Sequence, residues 1–126
     1  MGALDPTIEE LPVDDGSPRR ARELARQWVE RVGWLDRSDD LILLVSELVA
    51  NAVVSATGGL IRMALSLPTG AIRCEVSNEG DGWPVHRVVP PTALSGRGLH
   101  LVDQLASRWG SMGVDGSTVV WFELDR

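Results

Sequence analysis

The sequence contains no lysine; all twelve of its basic residues are arginine. That excludes chemistry built on an ε-amine, such as a Schiff base or the phosphate-binding lysine of a Walker-type loop. Cysteine occurs once, as Cys74, which excludes a disulfide framework and a thiolate metal cluster. Cys74 stands in the alternating run Ile72-Arg73-Cys74-Glu75-Val76, where a small buried apolar role fits better than reactivity. His86 and His100 are the only histidines, too few and too far apart to read as a metal site. Long apolar runs are also missing. The N-terminus has no basic region followed by a hydrophobic stretch, so no secretory signal is read there. The most apolar segment, residues 41–54, is too short and too polar to span a bilayer. A cytoplasmic location is expected, with no membrane partner.

What the chain does have is the composition of one ordinary globular domain. It holds 126 residues, 44% of them hydrophobic and 24% charged, enough for one real core and too few for two. Its net charge of −6 disfavours a direct nucleic-acid partner, because phosphate backbones are bound by positive surfaces.

Residues 1–16 are acidic, with Pro6, Pro12 and an Asp14-Asp15-Gly16 turn signal. They are expected to form a flexible or weakly docked arm, with Ile8, Leu11 and Val13 available to lie on the body as an edge strand. The ordered domain is expected over 17–126. Ser17-Pro18 predicts a helix start, serine as cap and proline at the first helical position. Apolar residues at Ala21, Leu24, Ala25, Trp28, Val29 and Val32 recur at helical spacing, and Gly33 ends the pattern. The opposite face carries Arg19, Arg20, Arg26, Glu30 and Arg31, either a solvated face or a docking surface. Ser38 with Asp39 and Asp40 predicts a second helix, running to about Ala56. Strands are expected over 60–67 and 71–77, then a long irregular segment over 78–95, a length that is usually functional. A third helix is predicted from Gly96 or Gly98 to near Trp109-Gly110. A last hairpin overlaps its end, near 108–112, and closes with a strand over 118–124. Helices and strands in this order predict an α+β domain, with helices on one face of a sheet.

Glu47 and Asn51 carry the chemistry. They stand four apart in the apolar run of the second helix and therefore lie on one face of it. Polar heads placed in a buried surface cost free energy unless partners satisfy them. The acid suits a proton acceptor and the amide oxygen suits a hard cation; alternatively, this edge of the helix faces water. Asn78-Glu79-Gly80-Asp81-Gly82 places two glycines two apart after a strand, where a flat ligand can press on the main chain or a plain loop can turn. Gly96-Arg97-Gly98-Leu99 opens a helix, whose free amides suit a phosphate, although a tight turn would also need glycine. Thr118 is at its simplest a strand threonine. The five tryptophans read as core and rim residues rather than a stacking platform, with Trp83 left open.

Together these motifs resemble the small ATP-binding regulators that include bacterial anti-sigma factor serine kinases, within the GHKL superfamily of gyrase, Hsp90, histidine kinases and MutL. Glu47-Leu48-Val49-Ala50-Asn51-Ala52 is similar to that family's acid-and-asparagine box. Asn78-Glu79-Gly80-Asp81-Gly82 is similar to its first glycine box, and Ser95-Gly96-Arg97-Gly98-Leu99-His100-Leu101-Val102 to its second. Gly116-Ser117-Thr118-Val119 is similar to the closing glycine–threonine element. The likeness extends over about residues 17–124 and to the compact actinobacterial versions.

The resemblance implies a two-layer α/β sandwich of the Bergerat ATP-binding type, with a mixed, mainly antiparallel sheet. It implies ATP and Mg²⁺ as cofactors, with Asn51 as metal ligand and Glu47 as general base toward a protein serine. Gly80 and Gly82 would let adenine lie on the backbone, while Gly96, Arg97, Gly98 and Leu99 would face the phosphates. Asn78 and Thr118 would bind the adenine end. Implied partners are a sigma factor, an antagonist protein, or both, and a homodimer is among the expected assemblies. The chain departs from the family where Asn78 replaces the usual aspartate. A carboxamide offers the adenine amino group an oxygen without charge assistance, a loss of about 1–3 kcal/mol. Ser55 stands where compact relatives often have histidine, and the segment over 83–94 is short and proline-rich. The implied activity is a serine/threonine protein kinase regulating transcription through a sigma factor. The alternative is a docking module of the same fold with weak or lost nucleotide binding. A cut-off histidine-kinase catalytic domain fits least, since the dimerisation helices and phosphoacceptor region are missing.

Overall fold

The computed structural model describes residues 6–68, 70–79, 97–114 and 117–126. Strand β1 (Thr7–Pro12) leads into helix α1 (Ser17–Val32), a single 3-10 turn at Leu35–Arg37, and helix α2 (Ser38–Ser55). Strands β2 (Gly58–Ser66) and β3 (Ala71–Glu79) follow, then helix α3 (Arg97–Leu105) and strands β4 (Arg108–Val114) and β5 (Ser117–Asp125). The strands form one sheet in the order β1-β2-β3-β5-β4. The α+β, two-layer expectation holds. Every pairing is antiparallel, so the sheet contains no parallel pair among the described residues.

Strand alternation and helix periodicity aim the apolar residues at one shared layer. Ile61, Met63 and Leu65 from β2, Ile72, Cys74 and Val76 from β3, and Val120, Phe122 and Leu124 from β5 are all buried. Against them lie Ala21, Ala25, Trp28 and Val29 of α1 and Leu41, Leu44, Val45, Leu48, Val49 and Ala52 of α2. Helix α2 is central, packed on α1, α3 and β3. Its buried residues cover so much of its circumference because three neighbours surround it. No helix among the described residues is long and apolar enough to cross a membrane.

Several local expectations are revised. Ser17 is the first residue of α1 rather than its cap, and Gly16 takes the cap position. The Ser17 hydroxyl instead donates to the Pro12 carbonyl, tying the end of β1 to the start of α1. Ser38 likewise begins α2, with Arg37 as cap and no side-chain capping bond. Gly33 does close α1, in the left-handed conformation (φ 82°) that glycine reaches without strain. Helix α3 stops at Leu105, short of Trp109-Gly110, because the next amides find other partners. The Ala106 amide still donates to the Val102 carbonyl, whereas that of Ser107 donates to Glu123 across in β5. Ile8 and Leu11 lie in β1, which pairs with β2 from Thr7↔Leu65 to Pro12↔Leu60.

Candidate functional site

The polar residues buried under the helices gather toward one end of the sheet. Inward-facing positions of β3 read Ile72, Cys74, Val76 and then Asn78, which is 3% exposed. Asn78 pairs directly with Thr118 of β5, also 3% exposed, and Thr118 pairs on its other side with Gly113 of β4. One row along, Val76 pairs with Val120, and Val120 with Ser111. Asn78, Thr118 and Ser111 therefore make a polar end to an otherwise apolar inner surface. The sequence reading placed Asn78 at the start of the irregular segment. The structure places it inside β3, because the ladder with β5 continues to Glu79↔Ser117. Ser111 was missed, although the alternation Trp109, Ser111, Gly113 in a short strand already put a serine at an inward position.

On α2, Asn51 is buried at 8% exposure, four residues and one helical turn from half-buried Glu47. The Asn51 carboxamide nitrogen is fully enclosed and has no hydrogen-bond partner. A buried, unmade amide hydrogen bond costs about 1–3 kcal/mol. That cost is explained if a ligand completes the site. As placed, the Nδ2 donor suits a phosphate oxygen. Rotating the amide by half a turn exchanges nitrogen for oxygen and suits a hard cation instead. Glu47 has no ion pair among the described residues, so its carboxylate is available to a substrate. The next position, Ser46, accepts a bond from Arg22 Nη1 at 2.9 Å, which fastens α1 to α2 beside the acid. Among the described residues no group of three or more His, Cys, Asp or Glu is placed to hold a metal. A divalent ion here would need the Asn51 oxygen together with oxygens of a ligand.

Arg97 and Gly98 open α3, whose Leu99 is buried in the core at 7% exposure. The side-chain surroundings of Arg97 and Gly98, and the positions Gly80, Gly82 and Gly96, lie outside the described residues. A separate hollow of about 370 Å³ is lined by Glu10, Gly59, Leu60, Arg62, Ser77, Asn78 and Ser117. By strand alternation Arg62 and Ser77 point away from the helices, so this hollow lies on the opposite face of the sheet from Glu47 and Asn51.

The model for the histidine kinase-like ATPase domain matches residues 11–124, spanning α2, the buried polar end of the sheet and all three helices. This chain belongs to the histidine kinase-like ATPase domain family. No curated protein matches the sequence. Among solved structures, the chain is similar to the RsbU and RsbW domains of Rv1364c from Mycobacterium tuberculosis, with a TM-score of 0.75 and 24% identity. That likeness covers 97% of this chain and 32% of the other, so this chain spans about a third of the length of the relative. At this identity the likeness concerns the fold. It agrees with a histidine kinase-like ATPase domain made of one helical layer on one antiparallel sheet.

Proposed function

We propose that the chain binds ATP with Mg²⁺ and phosphorylates a serine or threonine of an antagonist protein, acting on transcription through a sigma factor. The observation that carries this reading is the enclosed, unpartnered Asn51 amide one turn from an unpaired Glu47 in a histidine kinase-like ATPase domain. When bound, Mg·ATP supplies the transferable phosphoryl group, with the metal offsetting the phosphate charge. Asn51 holds the metal through its amide oxygen. Asn78 and Thr118, side by side under the helices, bind the adenine end. Glu47 orients the acceptor hydroxyl and takes its proton as the oxygen–phosphorus bond forms, and ADP leaves with the electron pair of the broken bond. Residues Gly80, Gly82, Gly96, Arg97, Gly98 and Leu99 form the nucleotide's glycine-rich surroundings in this reading. The four motifs quoted above support an anti-sigma role with sigma-factor or antagonist partners, in the cytoplasm. The acidic net charge supports a protein rather than a nucleic-acid partner.

A second reading, a docking module that has lost nucleotide, is favoured by one residue. Asn78 is neutral where the family carries an acid, and it is deeply buried. Calorimetric titration with ATP and Mg²⁺ separates the two. The kinase reading expects micromolar binding by the native chain, loss of Mg²⁺ dependence in Asn51→Ala, and tighter binding in Asn78→Asp. It also expects Glu47→Ala to retain ATP while losing phosphate transfer. A silent native chain whose Asn78→Asp variant binds would establish the docking module instead.

A further inference from the structure

Resting on the kinase reading, the structure assigns a ridge on α2 as the seat of the protein segment that carries the acceptor serine. Leu43, Glu47, Ala50 and Val54 recur at spacings of four, three and four, so they form a single stripe along the helix. The stripe points away from the buried set Leu41, Leu44, Val45, Leu48, Val49 and Ala52. Leu43 is 40% exposed and Val54 74% exposed, two of the few large apolar side chains that the described surface leaves open. Glu47, the proton acceptor of the proposed reaction, stands between them. An acceptor hydroxyl can reach Glu47 only if its own chain crosses this ridge, and that identifies the occupant: the serine-bearing segment of the substrate protein.

The helix also sets the spacing of that segment. At about 1.5 Å per residue, Leu43 lies about 6 Å along the axis from Glu47, and Val54 about 10 Å in the other direction. An extended chain advances about 3.3 Å per residue. With the serine over Glu47, the third residue on one side reaches Val54 and the second residue on the other reaches Leu43. These are the positions at which apolar side chains cover the ridge. A regular strand would turn side chains two and three residues away to opposite faces, so the segment crosses as a loop.

The test uses fluorescein-labelled serine peptides with leucine two residues to one side of the serine and three to the other, in both polarities. Matched peptides carry glutamine at those places. ATP binding, peptide binding by polarisation, and phosphate transfer are measured on the native chain, Leu43→Asp and Val54→Asp. The leucine peptides are expected to bind about tenfold more tightly than the glutamine ones, the scale of burying part of one apolar side chain. Each variant is expected to erase that preference and raise the peptide KM about tenfold, with kcat and ATP affinity unchanged. If ATP binds but no peptide is phosphorylated, the kinase reading falls, and polarisation still decides the ridge. A leucine preference lost in Leu43→Asp then supports docking without transfer. Equal binding of the two peptide sets, or binding unaltered in both variants, overturns the ridge.

Discussion

Asn51 sits where an apolar residue would pack more cheaply. Its neighbours Leu48 and Ala52 are fully buried, and its Nδ2 is enclosed without a partner. Replacing it with leucine removes an unmet donor and adds apolar burial of similar size. Asn51→Leu is therefore expected to stabilise the ligand-free protein by about 1–2 kcal/mol, read as a higher urea midpoint at unchanged slope. The same variant is expected to lose Mg²⁺-dependent ATP binding. A variant that is less stable without ligand would show that the amide has a structural partner. Such a trade, stability held below its optimum at one residue, is the pattern of a binding site. Cys74 shows the opposite case. Full burial, with Glu75 next to it, raises its thiol pKa, so the thiolate is suppressed and the residue acts as a small apolar core side chain, as the alternating run implied.

At the scale of elements, the outer face of the sheet is organised around Trp121 of β5. The Arg73 guanidinium lies 4.3 Å from the centre of its ring and is itself fixed by Glu75 and Glu123, at 2.9 and 3.0 Å. Trp121 pairs with Gly110 of β4, and a β-carbon on Gly110 would lie 2.9 Å from the indole nitrogen. The indole has little freedom to retreat because Arg73 holds it. Gly110→Ala is expected to cost about 1–3 kcal/mol by overpacking, seen as a lower Tm. In a double-mutant cycle with Trp121→Val, most of that cost should disappear. Additive effects would mean that the glycine is needed for its backbone instead. Gly110 reads in the sequence as part of a helix end, and nothing local distinguishes it. Only the strand register shows which side chain occupies its missing one.

The whole molecule is acidic, yet its sheet edge at β4 and β5 is held by arginine. Arg108 bonds Glu123 at 2.9 Å and also meets Asp125, while Arg73 meets Glu123 from the other side. These bonds, Arg108's first, hold the Glu123 carboxyl below its ordinary pKa, and Asp125 is lowered by Arg108 in the same way. A carboxylate whose folded pKa is lowered stabilises the fold fully above its unfolded pKa, about 4, and loses that contribution as pH falls through the folded value. Tm is therefore expected to fall as pH drops below about 4, less steeply in Glu123→Gln, with molar salt weakening the contribution of the exposed Asp125 pair. Equal acid slopes in the native chain and the variant would remove Glu123 as the cause. The sequence by itself determined the two helices, the β2–β3 hairpin, the inward alternation of the strands and the Glu47–Asn51 pair. Those depend on periodicities of 3.6 and 2 residues, which local spacing records. Tertiary structure alone decided that Asn78 belongs to a strand beside Thr118, that Ser111 joins them, and that Ser17 ties β1 to α1 rather than capping a helix. It also decided that Leu43 and Val54 remain open on either side of Glu47. Each of those follows from which distant segment lies alongside, a choice made by burial over the whole core and written in no single stretch of chain.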